Sequence, residues 1–394
     1  MWKKIGILSI VIIAVIVVAF SIMVGMSKNT EARIELNGTV KKYQINRSYL
    51  SYLVNKYKYK GSLLYEYTAL TKKLDDEEAL IKISGDFETI IRDIKSSETE
   101  KIESKIAFEP DAQEDIFKYE VGKDGRHIGE NTYRRILSSI DKGEVVKDYL
   151  DIDKVKSIGD MENDTKLLAK YTTKYSTSGE ARKTNIRLAA KYINGSIIKA
   201  KEQFSFNEVV GERTAERGFH EAKVIVNGEY VKGYGGGVCQ VSTTLYNAWV
   251  LAGGGVIYAS SHSLPPHYID LSRDAMVSSY NDLILVNNGE SPLYVRSISN
   301  NDSITFEIYG EETNVKYAIE SETTKVIPAE TKYIGDTTEN EEYYEIEVSG
   351  GSPAYESRAY LLTYDMDGKL LERKLLREDS YRSQPRLVER VKAG

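Results

Sequence analysis

The chain has 394 residues, with 53 Lys and Arg against 59 Asp and Glu and a formal charge of −6. That length fits two or three domains, and the mild acidity lacks the basic stripe of a nucleic-acid binder, so no nucleic-acid partner is expected. One cysteine excludes a disulfide framework, a cysteine-rich zinc finger and a redox pair together.

The first strong pattern is Ile5 to Gly25, an uncharged run that follows Lys3 and Lys4. At about 1.5 Å per residue, a helix of this length crosses the roughly 30 Å hydrocarbon core of a bilayer. A cleaved signal peptide usually has a shorter apolar core, about 7–15 residues, ahead of a small-residue cleavage site. The run therefore predicts a single uncleaved N-terminal transmembrane helix. The positive-inside rule keeps Lys3 and Lys4 in the cytoplasm and puts everything after residue 27 outside, in a bacterial envelope.

The stretch EARIELNGTVKKYQI alternates like a hairpin turning at Asn37-Gly38. Ser62 to Ile83 has apolar residues at helical spacing, and its charge block at Lys72–Glu78 reads as a solvated helix face. The segment FKYEVGKDGRHIGENTYRRILSSIDKGEVVKDYLDI reads as strand, Gly turn, helix and strand, with Asn131 or Thr132 as the helix cap. His127 sits in that turn with no second ligand near it, and His220 likewise has no evident partner.

Residues from Ala169 to about Gly310 are densest in Gly, Ser, Thr and Asn and hold the sole cysteine and three of the four histidines. Within GYGGGVCQVSTTLYNAWVLAGGG, the three glycines 235–237 allow backbone angles closed to other residues, and a helical pattern begins near Val241. Cys239 is therefore expected at a helix N-terminus, whose partial positive charge and free N–H groups stabilise a thiolate and an oxyanion. An inert buried cysteine is the competing reading. A thiol nucleophile needs a base and a group that orients it. His262 and His267 both qualify as base, Asp274 and Asp270 both as orienter, and spacing does not choose between them. No H-E-x-x-H pattern occurs, so neither a metal nor another cofactor is expected. After Glu311 the chain returns to strand-like runs, YYEIEVSG, SRAYLLTYDMDG and LLERKLL, with a turn at Asp367-Gly368.

Several linked motifs then resemble the VanW-like family of Gram-positive envelope proteins. They are RKTNIRLAAKYING, EQFSFNEVVGERT, GGGVCQVSTTLYNA, HSLPPHYIDLSRDA and NDLILVNN. The chain departs from the family at a usual Pro-Gly pair, here Ala200-Lys201, and at a Pro and a Gly between the motif His and Asp, here Asp270 and Ser272. Residues 28–165 resemble peptidoglycan-binding regions found upstream of such modules, and the tail is similar to a G-five-type wall module. The implied organisation is a tip and anchor at 1–27, a peptidoglycan-binding α+β region at 28–165, a catalytic domain at 166–312 and a β module at 313–394. The expected class is α+β, multi-domain, with a single-pass membrane location and the later domains facing the cell wall.

The resemblance implies an L,D-transpeptidase. Its catalytic residues would be Cys239, His262 and Asp274. Gly236, Gly237, Gln240, Ser242, Arg213 and Ser263 would touch the substrate, with Arg213 able to grip a carboxylate by a bidentate contact. The partners would be peptidoglycan stem peptides, a tetrapeptide donor and an acceptor. The alternatives are a non-catalytic wall-binding or glycopeptide-resistance accessory and a cysteine L,D-carboxypeptidase. The sequence does not give the oligomeric state.

Overall fold

The computed structural model describes residues 30–45, 68, 70, 72, 75–83, 86–129, 131–226, 229–335 and 343–392. They form two compact units. The first runs from the N-terminal strands to Lys105 and includes Glu120–Ser157; the second takes Ile106–Tyr119 and everything from Ile158 onward.

In the first unit, β1 (Thr30–Leu36) and β2 (Thr39–Ile45) form an antiparallel hairpin. Its turn residues Asn37 and Gly38 both have left-handed backbone, φ 49 and 77, the conformation a two-residue turn needs to match strand twist. Two short helices follow, α1 (Asp76–Ile83) and α2 (Phe87–Lys95), and later β5 (Gly125–His127); between them β3 (Lys105–Phe108) and β4 (Phe117–Glu120) pair with each other and, all but Lys105 and Glu120, belong to the second unit. Helix α3 (Thr132–Asp141) leads to β6 (Val145–Val146), which pairs parallel to β1, and to β7 (Asp151–Asp153), which pairs with β5. Phe87, Ile90, Ile91 and Ile94 of α2 recur at helical spacing and are buried. They share a core with Tyr133, Ile136, Leu137 and Ile140 of α3 and with Ala32, Ile34 and Leu36, which alternate along β1. Asn131 precedes α3 without a capping side-chain bond; Thr132 Oγ1 instead accepts from Gly129 N at 2.8 Å.

The second unit opens with α4 (Ile158–Asn163), β8 (Lys166–Lys174), α5 (Glu180–Ile193), β9 (Ile197–Ile198), β10 (Gln203–Ser205) and α6 (Phe206–Val210). A hairpin of β11 (Glu221–Val226) and β12 (Glu229–Tyr234) delivers the chain to the three glycines and α7 (Val238–Leu251). Beyond come β13 (Gly255–Tyr258), β14 (Ile284–Val286), β15 (Leu293–Ser299) and β16 (Ser303–Gly310). An antiparallel sheet in the order β8-β16-β15-β9 forms the floor. Along β16 burial strictly alternates, placing Ile304, Phe306 and Ile308 inward. Helices α5 and α7 pack on that sheet.

The tail of the same unit has six strands: β17 (Val315–Ile327), β18 (Thr331–Gly335), β19 (Tyr343–Ser349), β20 (Ala354–Asp365), β21 (Leu370–Tyr381) and β22 (Arg386–Lys392). They form two three-stranded sheets, β17-β20-β21 and β18-β22-β19.

Two expectations are corrected here. The class is mainly β rather than α+β, with 43% strand and 20% helix. Strand is spread along the whole described chain, 22 strands against seven helices, so it outweighs helix although the two longest helices have 14 residues each. The single-pass membrane expectation, with the cell-membrane location resting on it, finds no supporting helix: among the described residues none is long and apolar enough to cross a membrane. The run from Ile5 to Gly25 lies outside the described residues.

Candidate active site

Gly237 precedes helix α7 as its N-cap, and its φ of 107 is left-handed backbone that suits glycine. Cys239 is thus the second residue of the helix, partly buried and the free thiol of the chain. As a thiol its Sγ donates to Val277 O at 3.3 Å, and His262 lies close enough to act on the same sulfur. Among the described residues the N–H groups of Gly236, Gly237 and Cys239 donate to no protein acceptor, which leaves the turn free donors beside the thiol. The turn is held from behind by Asn185 of α5. That buried amide donates to Gly236 O at 3.0 Å and His220 O at 2.9 Å, and accepts from His220 N at 2.8 Å.

His262 and Asp274 lie at the base of one loop, pinned shut by a bridge between Ser260 and Met276. This pinning joins residues 12 apart in sequence: Asp274 Oδ2 accepts from His262 Nδ1 at 2.6 Å and from His262 N at 2.7 Å. Nδ1 is therefore the protonated nitrogen, and Nε2 is left for the sulfur. Both side chains are buried, His262 5% exposed and Asp274 0%.

The polar residues of α7 explain how the loop is held. Ser242 Oγ donates to Ala275 O at 2.6 Å, Ala275 N donates to Thr243 Oγ1 at 3.0 Å, and Asn247 Nδ2 donates to Arg273 O at 2.8 Å. The helix therefore presents Cys239 and also grips the backbone around Asp274.

The tail completes the arrangement. Tyr381 Oη on β21 donates to Asp274 Oδ1 at 2.6 Å and accepts from Ser272 N at 2.7 Å. Arg377, clamped to Asp379 by two contacts of 2.7 Å, donates to Asp274 O at 2.8 Å. Ser272 holds a left-handed φ of 59 and its hydroxyl meets Ser357 Oγ at 2.7 Å.

The electrostatics follow from these contacts. Burial pushes the Cys239 thiol up, but His262, a hydrogen bond with the Val277 backbone and the Arg213 charge together bring it below its ordinary value. Burial lowers His262, and its bonds to Asp274 and Cys239 overcome this and raise it to about 10. Burial disfavours the Asp274 carboxylate, yet His262 and Tyr381 hold it below the usual range. The favoured state is a thiolate beside an imidazolium that leans on a carboxylate.

The structure brings Cys239, His262 and Asp274 together and leaves the competitors apart. His267 is exposed on the cleft rim. Asp270 is 72% exposed in its side chain and pairs with Arg273 at 3.2 Å. Gly236, Gly237, Arg213 and Gln240 line a cleft of about 1280 Å³ that opens over Cys239. The Gln240 amide is spent inward, donating to Thr173 Oγ1 and Lys174 O at 3.0 Å each and accepting from Arg182 at 2.7 Å. Ser242 is fully buried, and Ser263 meets the tail through its carbonyl, which accepts from Arg382 N at 2.7 Å.

Four participants escaped the sequence reading: Arg182, Tyr268, Tyr381 and Arg377. Burial and the nearby Cys239 charge push the Tyr268 hydroxyl up, which keeps it a neutral donor at the cleft. Arg182 had a signal, its place in the motif RKTNIRLAAKYING; the tail residues had none.

Comparison with known proteins finds a family likeness in this central region. Residues 181–309 match the family described as VanW like protein. The chain is 38% identical over 149 residues to the uncharacterized protein YoaR of Bacillus subtilis, which covers 38% of this chain and 49% of that protein. It is 38% identical over 66 residues to the vancomycin B-type resistance protein VanW of Enterococcus faecalis, covering 17% of this chain and 23% of that one. The matched region thus spans about half, or less, of each relative's length. Among solved structures, HP0197-G5 matches 20% of this chain and 100% of its own at 15% identity and TM-score 0.14. The IgA1 protease G5 domain matches 21% and 95% at 13% identity and TM-score 0.14.

Proposed function

We propose that this protein is a cysteine acyltransferase acting on peptidoglycan stem peptides, an L,D-transpeptidase. The observation that carries the reading is Cys239 at a helix N-terminus on a cleft, acted on by His262, which is itself hydrogen-bonded to Asp274. Likeness to a vancomycin-resistance protein supports a cell-wall setting.

The chemistry then follows from the residues. The Cys239 thiolate attacks the carbonyl carbon of the amide joining a diaminopimelate to the terminal D-Ala of a tetrapeptide stem. The oxyanion forms within reach of the free N–H groups at the turn. As the tetrahedral intermediate collapses, the His262 imidazolium gives its Nε2 proton to the departing D-Ala nitrogen. A thioester remains on Sγ, and His262 is now a neutral base. The side-chain amine of a second diaminopimelate attacks the thioester, His262 takes its proton, and the thiolate leaves. Asp274 holds the imidazole in one tautomer throughout and stabilises its charged form. Water in place of the amine gives a trimmed stem, the carboxypeptidase outcome.

Incubation with tetrapeptide stems followed by mass spectrometry tests the reading. The expected result is a tripeptide acyl adduct on Cys239, absent in Cys239→Ala, with dimers as product. Dimers formed equally well by Cys239→Ala would overturn it.

A further inference from the structure

The three glycines ahead of Cys239 have a second consequence besides the turn. A Cβ on Gly235 would lie 2.8 Å from Arg213 Cβ, and one on Gly237 would lie 2.9 Å from Arg182 Cγ. The loop therefore packs directly on two arginine stems, and side chains there would displace both. Each guanidinium lines the cleft, and the charge of each bears on Cys239.

Neither arginine is neutralised by the protein. Arg182 donates to Ser178 Oγ at 2.9 Å and Gln240 Oε1 at 2.7 Å, and Arg213 donates to Asn207 Oδ1 at 2.5 Å; all three acceptors are uncharged. Among the described residues neither makes an ion pair. The acid whose field reaches Arg213 is Asp282, and its oxygens are occupied by Ser205 Oγ at 2.5 Å and by the backbone N–H groups of Asn207 and Leu283 at 2.9 and 2.7 Å. Both arginines are partly buried, and a partly desolvated cation with no acid beside it is held at a cost. Each guanidinium has five donors, so both keep donors to spare.

The surrounding charge points the same way. The chain is acidic at −6, but the cleft is lined by Lys174, Arg182, Arg213 and Lys223 against Glu212 alone. The thiolate does not consume this excess, because the His262 imidazolium already faces it. What each lacks is an anion, and a carboxylate has the planar, two-oxygen geometry that fits a guanidinium fork.

We propose that Arg182 and Arg213 form a carboxylate-binding subsite beside Cys239, selecting acyl donors with a free carboxylate close to the bond that breaks. The subsite deepens the acyl-transfer reading and rests on it for its use. It makes the enzyme one that acts at peptide ends and not within chains, since an interior amide has no such carboxylate to offer.

Two alkylating reagents test the subsite without any turnover. Iodoacetate carries a carboxylate next to its reactive carbon, and iodoacetamide is its neutral counterpart. A free thiolate repels the anion and prefers the amide. On the full chain, iodoacetate is expected to modify Cys239 faster than iodoacetamide, on the order of tenfold, the scale of one charge-assisted hydrogen bond. Arg182→Gln and Arg213→Gln should each reduce that ratio. Taking the ratio cancels any change in thiol ionisation that the substitutions cause. A wild-type ratio no higher than that of free cysteine overturns the proposal, and this reading needs no variant to fold. A ratio unchanged in both folded variants overturns it too. With stem tetrapeptides, C-terminal amidation should slow acylation of Cys239 about tenfold, and equal rates for acid and amide overturn the subsite. If no stem peptide acylates Cys239 while iodoacetate is still preferred and both variants lose that preference, the acyl-transfer reading falls and the subsite stands.

Discussion

The Tyr381 hydroxyl donates to Asp274 Oδ1 at 2.6 Å although 107 residues separate the two in sequence. Because the same oxygen accepts from Ser272 N, it fixes Asp274 and the backbone that carries it in one contact. Tyr381 is buried, so Tyr381→Phe leaves its packing intact and removes the hydrogen bond. A hydrogen bond to a charged group contributes about 1.5–3 kcal/mol, which corresponds to roughly 10–100-fold in acylation rate if the bond acts through the orientation of His262. The expected outcome is a loss of this size with unchanged substrate KM, and an upward shift of the pH at which Cys239 becomes alkylated. Loss of stability alone, with the alkylation profile unmoved, would reduce Tyr381 to a structural role.

The pH behaviour of Cys239 and His262 should be that of a pair. The thiol lies below its ordinary value and His262 is raised to about 10, so the thiolate–imidazolium state fills the window between them. Alkylation of Cys239 should therefore have its midpoint below the value of about 8.5 for a free cysteine. His262→Ala should return it to that value or above, since burial then acts unopposed. The sign for stability follows from the same shifts. Folding raises the affinity of His262 for its proton, so its contribution is complete below the unfolded value near 6.5 and is lost as the pH rises through about 10. Asp274 is lowered, so its contribution is present above its unfolded value near 3.9 and is lost as the pH falls through its lower folded one. Denaturant midpoints between pH 3 and 11 would show both limbs; in His262→Ala the alkaline limb should flatten.

Local patterns were legible in the sequence where chemistry acts over a few residues. Asn37-Gly38 marks its own turn, since left-handed backbone at both positions is what those residues tolerate. The helical pattern reads from about Val241, whereas α7 starts three residues earlier at Val238, directly after the left-handed Gly237. The departures from the family pattern carried a hidden message as well. Lys201 and Ser272, which stand where the family usually has glycine, both keep left-handed backbone, φ 63 and 59. Spacing could not choose between His262 and His267, because the choice depends on the bridge between Ser260 and Met276 that closes the loop. Nor could it find Tyr381 and Arg377, which reach Asp274 from a strand of another sheet. The balance of strand over helix was hidden for a related reason: many strands are only two to four residues long, too short to show an alternating pattern, and they add to the long strands of the tail.

Gly237→Ala should test how tightly the turn is built. The residue has φ 107, and a Cβ there would meet Arg182 Cγ at 2.9 Å and Ile186 Cγ1 at 3.0 Å. Backbone strain and overpacking each cost about 1–3 kcal/mol. The variant should lose about 2–4 kcal/mol in denaturant unfolding. It should also alkylate more slowly, because both the helix start and Arg182 must move. A loss below 1 kcal/mol would mean that the turn relaxes freely.

Asn185 makes a different prediction, because it touches the glycine turn without entering the cleft. Its buried amide satisfies Gly236 O and both backbone groups of His220. Asn185→Ala removes three hydrogen bonds of about 1 kcal/mol each and leaves buried backbone groups to find water or go unpaired. The expected loss is about 3–5 kcal/mol in chemical denaturation. The bond between His262 and Asp274 is formed on a separate loop, so its alkaline stability limb should survive in the variant. Thiol reactivity should fall, because Gly236 and Gly237 no longer hold the N–H groups in place beside Cys239. Unchanged reactivity at this loss of stability would show that the turn is positioned by the arginine stems and α7 alone, with Asn185 serving the core.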